Sequence, residues 1–209
     1  TDSGTPGLFN FMNLPVKNSD KKSLREIFRR RRRQLSRCVQ LRAEKKVLFQ
    51  LKRSGILEQT KSVAMYRAND GEVSTDALKK FCLAHNKKVY FPCLQNDKIL
   101  LFRRIALNSR WFPNRFGIPE PGAAQKSLPI NKLDVIVMPL VAFNRGGQRL
   151  GMGGGYYDRS LAKLQAGQQR PLLVGFAHSC QYCRALPHDK WDVRLDAIIT
   201  ERRCYFVKR

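Results

Sequence analysis

Two stretches decide the fold: Leu133-Asp-Val-Ile-Val-Met-Pro-Leu-Val141, and after it Arg149-Leu-Gly-Met-Gly-Gly-Gly-Tyr-Tyr-Asp158. The first is an apolar run rich in Val and Ile, the composition of a strand covered on both faces within a parallel sheet. The second sets Gly151, Gly153, Gly154 and Gly155 directly before a helix-like stretch that opens at Tyr156. Buried strand, glycines and helix start together aim backbone N–H groups and the positive end of a helix at an anion, most often a phosphate. Glycine removes the Cβ atoms that would block a close approach and permits positive φ.

The loop fits neither common nucleotide motif. A Walker A loop needs Gly-Lys-Ser/Thr where this chain runs into Tyr156 and Tyr157, and a dinucleotide fingerprint needs a third small residue where Tyr156 stands. A glycine turn without a ligand is the plain alternative. The flanking residues favour a ligand: Arg149 has the fork geometry for phosphate oxygens, and Asp158, one turn into the helix, offers oxygen to Mg2+.

Outward from this segment, strands alternate with helices. Helices are expected over 19–35, opened by Ser19 or Asp20, over 41–53, ended near Gly55, and from Ser74 or Thr75 to about His85. Strands are expected over 62–66, 88–92, 99–103, 133–139, 171–176, 196–200 and 205–207, with a helix from the glycine loop to about Ala166. Asn69-Asp70-Gly71 reads as a turn, which puts Glu72 past the C-terminal end of its strand, where open α/β sheets gather ligand groups. Residues 108–131 read as a long loop whose Trp111, Phe112 and Phe116 either wall a flat ligand or pin the loop to the core. The pattern predicts a three-layer α/β/α sandwich with a largely parallel sheet. Residues 20–209 are expected to form a single domain, with 1–19 a poorly ordered leader.

The chain has 209 residues, 40 Lys and Arg against 16 Asp and Glu, and a net charge of +24, a field that attracts polyanions. The densest cluster, Arg29 to Arg33, lies in a stretch whose apolar Leu24, Ile27, Phe28 and Leu35 keep helical spacing, so it reads as a basic amphipathic helix with a solvated charged face. Non-specific polyanion contact through Arg29–Arg33 and a partial role of the run at the ligand site are the alternatives. No RNA-recognition signature or zinc-finger spacing accompanies it. Cys180-Gln-Tyr-Cys183, near His178, His188 and Cys204, lacks the second ligand pair of a zinc site, and the six cysteines read as reduced thiols. No stretch approaches the ~20 apolar residues of a membrane helix, and no signal pattern opens the chain. A cytoplasmic monomer is the expectation.

The string from Arg149 to Arg159 resembles the signature of the 5-formyltetrahydrofolate cyclo-ligase family, also called 5,10-methenyltetrahydrofolate synthetases. Lys21-Lys-Ser-Leu-Arg25, Asn69-Asp-Gly-Glu72, Ile118-Pro-Glu-Pro121, Pro139-Leu-Val-Ala-Phe143, Leu186-Pro-His-Asp-Lys-Trp-Asp192 and Ile199-Thr-Glu201 agree in order and spacing, so the likeness spans about residues 20–207. The resemblance implies a Rossmann-like fold and an ATP- and Mg2+-dependent enzyme that closes 5-formyltetrahydrofolate to 5,10-methenyltetrahydrofolate with release of ADP and phosphate. It implies that Lys21, Arg25 and the loop Arg149, Leu150, Gly151, Met152, Gly153, Gly154, Gly155, Tyr156 and Tyr157 hold ATP. Arg149 and Tyr157 would act in catalysis, and Asp158 and Asp192 would be the Mg2+ carboxylates. Glu72 and Arg67 would contact the reduced folate together with Met152, Gly153, Gly154, Gly155 and Tyr156; the family position at Arg67 is usually apolar.

Residue chemistry leaves two rivals. One is an RNA- or polyphosphate-binding protein that keeps the fold without activity; the other is an ATP-using ligase for a different acid. Each candidate also has an ordinary role: Asp158 serving the helix dipole, Asp192 in a turn, Glu72 as a helix-start acid, Lys21 and Arg25 as solvated charges.

Overall fold

The computed structural model describes residues 20–106, 109–164 and 169–208. The expected leader lies outside them. Helix α1 (Lys21–Arg33) is opened by Asp20, whose carboxylate accepts the Ser23 N–H at 2.6 Å, and it buries Leu24, Phe28 and Arg32 at successive turns. Helix α2 (Arg37–Arg53) is capped by Ser36 and buries Ala43, Val47 and Leu51 at the same spacing. It starts four residues before the expected position, because Ser36 caps it ahead of the first buried position. Then follow β1 (Ser62–Ala64), α3 (Asp76–Ala84), β2 (Lys88–Leu94), β3 (Leu100–Arg104), β4 (Trp111–Pro113), β5 (Pro119–Pro121), β6 (Ser127–Leu128), a 3-10 turn, β7 (Val135–Pro139), β8 (Ala142–Phe143), β9 (Arg149–Leu150), α4 (Tyr156–Ala162), β10 (Leu172–Phe176), a second 3-10 turn (Ser179–Gln181), β11 (Ala197–Ile199) and β12 (Cys204–Phe206).

Eight strands form the main sheet in the order β12-β11-β10-β7-β1-β2-β3-β6. The five from β11 to β2 are mutually parallel. Antiparallel β12 closes one edge, and β3 and β6 extend the other. Period-two alternation splits β7 between two cores. Val135 and Val137 meet α2 and α3 through Val47, Leu51, Leu78 and Cys82. Ile136 and Met138 point to the opposite face, with Leu161 of α4 and Leu195. The three layers are therefore present, but the α4 side is thin: that helix has seven residues, ends at Ala162, and is backed by irregular chain.

Two segments differ from the sequence reading. Of the expected loop over 108–131, the described residues 109–131 are not structureless, since β4 and β5 pair as a hairpin and β6 joins the main sheet. Pro113, Pro119 and Pro121 hid these strands; on short edge strands proline is tolerated, because its missing N–H faces away from the ladder. Trp111 anchors the hairpin edge-to-face on Phe91, with ring centroids 5.1 Å apart. The second difference is the β8–β9 hairpin, which stands between β7 and the glycine loop. Its turn is built by the Asn144 carboxamide, which accepts the Gly146 and Gln148 N–H groups at 3.0 and 3.1 Å, and by Gly147 at φ +82°.

Candidate active site

Strands β1 and β7 are neighbours whose chain continuations leave in opposite directions, β1 through α3 to β2 and β7 toward β10. A parallel sheet opens a crevice at such a switch point, beyond the strand C-termini. A cavity of about 790 Å³ lies there. Every residue that the resemblance marks as a site residue lines it: Lys21, Arg25, Arg67, Glu72, the loop from Arg149 to Asp158, and Asp192.

One wall is the end of β1 and the turn after it. The Tyr66 hydroxyl, buried, donates to the Val73 carbonyl at 2.6 Å and fixes the turn to the strand. The Glu72 carboxylate is 11% exposed, and its Oε2 accepts the Asn69 N–H at 3.0 Å. Burial pushes its pKa up to about 7, against the pull of the Arg32 guanidinium. Asp70, two residues earlier, goes the other way. Burial raises it, but hydrogen bonds from Arg29, Arg32 and Arg33 win and hold it at about 2.

The opposite wall is β9, the glycine loop and the first turn of α4. Arg149 donates from Nη2 to Asp158 Oδ1 at 2.7 Å, with side chains 5% and 18% exposed. The same oxygen accepts the Val193 N–H at 3.0 Å. Arg149 Nε is buried without a partner among the described residues. Arg25 donates from Nε to the Gly151 carbonyl at 2.8 Å, and Gly153 takes φ +98°, a conformation that side-chain-bearing residues rarely adopt. Gly155, at φ +65°, caps α4. With only two turns behind it, this helix end contributes little dipole, so the positive charge at the loop comes chiefly from Arg25, Arg149 and Arg159. Burial raises the Tyr157 hydroxyl well above the usual tyrosine range, which keeps it a proton donor.

Two more pieces close the sides. Lys21 Nζ lies between Asp189 Oδ2 at 2.7 Å and Asp192 Oδ2 at 2.6 Å, and Asp192 also accepts the Asp189 N–H at 2.8 Å. Lys21 holds Asp192 below the usual carboxylate range despite burial, which acts in the opposite sense. From the β4–β5 hairpin, Arg115 donates to the Tyr156 hydroxyl, and the Phe116 ring meets Tyr156 edge-on at 6.4 Å. Arg67 lays its guanidinium over Trp111 at 5.5 Å, a cation–aromatic contact at the edge of the cavity.

The donors present suit a Mg2+-bound triphosphate. No cluster of three or more His, Cys, Asp or Glu side chains exists among the described residues. Mg2+ needs no such cage, since it is held by one or two carboxylates plus phosphates and water. Asp158 Oδ2 and Asp192 Oδ1 accept no hydrogen bond within the described residues. Arg149 Nε, unpartnered among the described residues, and the glycine cradle would supply the phosphate side of the fit.

Sequence reasoning missed Asp70 and Asp189, and it left a part at the ligand site open for the arginine run without singling out Arg32. The arginine run reads as one solvated face, yet Arg32 is fully buried and Arg29, Arg32 and Arg33 all converge on Asp70. The sole hint was helical spacing, since Arg32 lies one turn beyond Phe28. His178 joins no cluster of three or more His, Cys, Asp or Glu side chains among the described residues, and its Nε2 hydrogen-bonds the Gly71 carbonyl at 3.2 Å.

An open, mostly parallel α/β sheet with a two-walled cleft at its switch point, one wall cationic and glycine-rich and the other carrying a buried carboxylate, defines a Rossmann-like ligand-binding protein. The chain belongs to the 5-formyltetrahydrofolate cyclo-ligase family, whose model matches residues 17–201. It is 40% identical over 182 residues to the 5-formyltetrahydrofolate cyclo-ligase of Haemophilus influenzae, covering 86% of this chain and 96% of that protein. The mouse protein of the same name is 26% identical over 88% of this chain and 95% of its own length. Among solved structures, the 5,10-methenyltetrahydrofolate synthetase of Aquifex aeolicus superposes with a TM-score of 0.79 at 31% identity, covering 90% of this chain and 93% of that one. The synthetase of Mycoplasma pneumoniae gives 0.69 at 28% identity, over 88% and 99%. The resemblance carried by residues 149–159 is borne out, and so is the mostly parallel α/β fold. No helix among the described residues is long and apolar enough to cross a membrane.

Proposed function

We propose that this chain is an ATP- and Mg2+-dependent cyclo-ligase that converts 5-formyltetrahydrofolate to 5,10-methenyltetrahydrofolate, releasing ADP and phosphate. The observation that carries this reading is a single cavity lined both by the cationic glycine loop and by the buried Glu72 carboxylate. One wall suits a triphosphate and the other suits the N–H donors of a pterin.

A formamide oxygen is a poor leaving group. The γ-phosphoryl group is therefore passed to the formyl oxygen, with cleavage of its bond to ADP. N10 then attacks the activated carbon, its proton is lost to solvent, and the carbon–oxygen bond breaks so that phosphate departs with the former formyl oxygen. The reaction demands charge neutralisation and alignment more than a protein nucleophile. Lys21, Arg25 and Arg149 would hold the phosphates, with Arg149 kept in place by Asp158. Tyr157, protonated, would donate a hydrogen bond at the transferring group. Asp158 and Asp192 would hold Mg2+, which supplies further neutralisation of the triphosphate. Gly151 to Tyr156 would lie between the two substrates, and alignment of this kind contributes up to about 7–11 kcal/mol. Glu72, Arg67 and Met152 would bound the pterin. We place the enzyme in the cytoplasm as a monomer, and the +24 charge would draw polyanions non-specifically, in part through Arg29–Arg33.

The test follows the appearance of the methenyl chromophore with and without ATP and Mg2+. Turnover that needs both, together with loss of ATP binding in Gly153→Val, supports the reading. A folded protein that makes no methenyl product, or Gly153→Val with ordinary nucleotide affinity, contradicts it.

A further inference from the structure

Arg32 has no role in the chemistry proposed above, yet it is the largest wholly enclosed side chain among the described residues. Its guanidinium is tied on three sides. Nη1 donates to the Leu140 carbonyl at 3.1 Å, just past the end of β7, while Nε donates to the Asp70 carbonyl at 2.7 Å and Nη2 to Asp70 Oδ2 at 2.8 Å. The Nη2 nitrogen also stands 3.6 Å from Glu72 Oε1 and 3.8 Å from the Met152 sulfur in the glycine loop. One planar, permanently charged group thus touches α1, the switch point, the turn that carries Glu72, and the loop on the opposite wall.

The charge balance around it is informative. Asp70 is served by Arg29 and Arg33 as well as by Arg32, so three guanidinium groups face the two carboxylates of Asp70 and Glu72. Arg32 is therefore not neutralised by Asp70 alone, and its field reaches Glu72. The other groups facing Glu72 are Asp70 on its own turn, the Tyr66 hydroxyl from just past β1 and the Tyr157 hydroxyl from α4. Both phenols are kept protonated by burial, so Arg32 is the one cation opposed to Glu72 within ion-pair distance among the described residues.

We infer that Arg32 is a positioning residue for the folate subsite: held by Leu140 and Asp70, it sets its guanidinium against the Glu72 carboxylate, aims that carboxylate into the cavity, and ties it to the glycine loop through Met152. This rests on Glu72 being the pterin-facing carboxylate of the proposed function. An ionised Glu72 presents only acceptors, which match pterin N–H groups. A protonated Glu72 presents a donor on one oxygen, which does not. Opposite charge within about 4–6 Å lowers a carboxyl pKa by about 1–3 units, so removing the cation must move Glu72 upward.

The experiment measures kcat and KM for both substrates across pH in wild type, Arg32→Met, Arg32→Lys and Glu72→Gln. In Arg32→Met the folate KM should rise about tenfold or more at neutral pH and the ATP KM little. The acid limb of kcat/KM should move upward by about one pH unit or more, so that raising the pH restores much of the loss. Arg32→Lys keeps the charge without the fork and should show the KM defect with a smaller displacement of the limb. Glu72→Gln should have no such limb. If Arg32→Met does not fold, Arg32→Lys and Glu72→Gln decide. A folded Arg32 variant with the wild-type folate KM and limb overturns the inference, and so does a loss of kcat alone at every pH, the mark of a purely structural residue. A wild type that forms no methenyl product would instead sink the function it rests on.

Discussion

Asp158 is tied to the structure as well as to the proposed metal. Its Oδ1 holds both Arg149 and the Val193 N–H, while Oδ2 accepts no hydrogen bond among the described residues. Asp158→Asn keeps an acceptor but removes the charge opposite a guanidinium that is 5% exposed. The variant should lose about 1–3 kcal/mol of stability, and turnover should fall at least about tenfold, with more Mg2+ needed for half-maximal rate. Denaturant melts and Mg2+ titrations check the two effects separately; full activity at limiting Mg2+ would remove the metal role. At this scale the sequence showed the residue types well. It did not show their pairing, because Lys21 meets Asp189 and Asp192 across more than 160 positions of chain.

At the scale of elements, α1 belongs to the site more than to the sandwich. Leu24 and Phe28 pack with Leu150 of β9, Ala142 of β8 and Cys183, which seats the helix on the hairpin that leads to the glycine loop. Asp70 is the polar half of that seat, 10% exposed and engaged by three arginines. Asp70→Ala leaves Arg32 buried without its main partner, and a loss of about 3–5 kcal/mol is expected. Urea unfolding measures it, and a loss below about 1 kcal/mol would show that the arginines find water instead. The helices and central strands were legible because their periodicity is long enough to read. The two hairpins were not, since strands of two or three residues carry no period, and prolines in β4 and β5 imitate a loop.

Two properties belong to the whole molecule. With a net charge of +24, mutual repulsion destabilises the compact state, and salt screens it. The melting temperature should therefore rise by a few degrees as ionic strength goes from about 20 to 200 mM; a fall would mean that attractive surface pairs dominate. The second property is pH dependence. Glu72 binds its proton more tightly when folded, at about 7 against an ordinary 4.5, so its contribution is full below about 4.5 and is lost as pH rises through about 7. Relative to Glu72→Gln, wild type should lose up to about 3 kcal/mol between pH 5 and 8. Parallel stability curves for the two proteins would refute the shift.

The sequence by itself determined the class of sheet, the position of the glycine loop and most of the residues that line the cavity. These depend on local period, on glycine and on motif order, all of which are written in neighbouring positions. Only the tertiary structure decided which arginine is buried, which carboxylate is held near neutrality and which is held near 2, and that α1 joins the two walls of the cleft. A charge takes its meaning from its solvation and its partners, and for Arg32 those are set by Leu140, Asp70 and Glu72, residues 38 or more positions away along the chain.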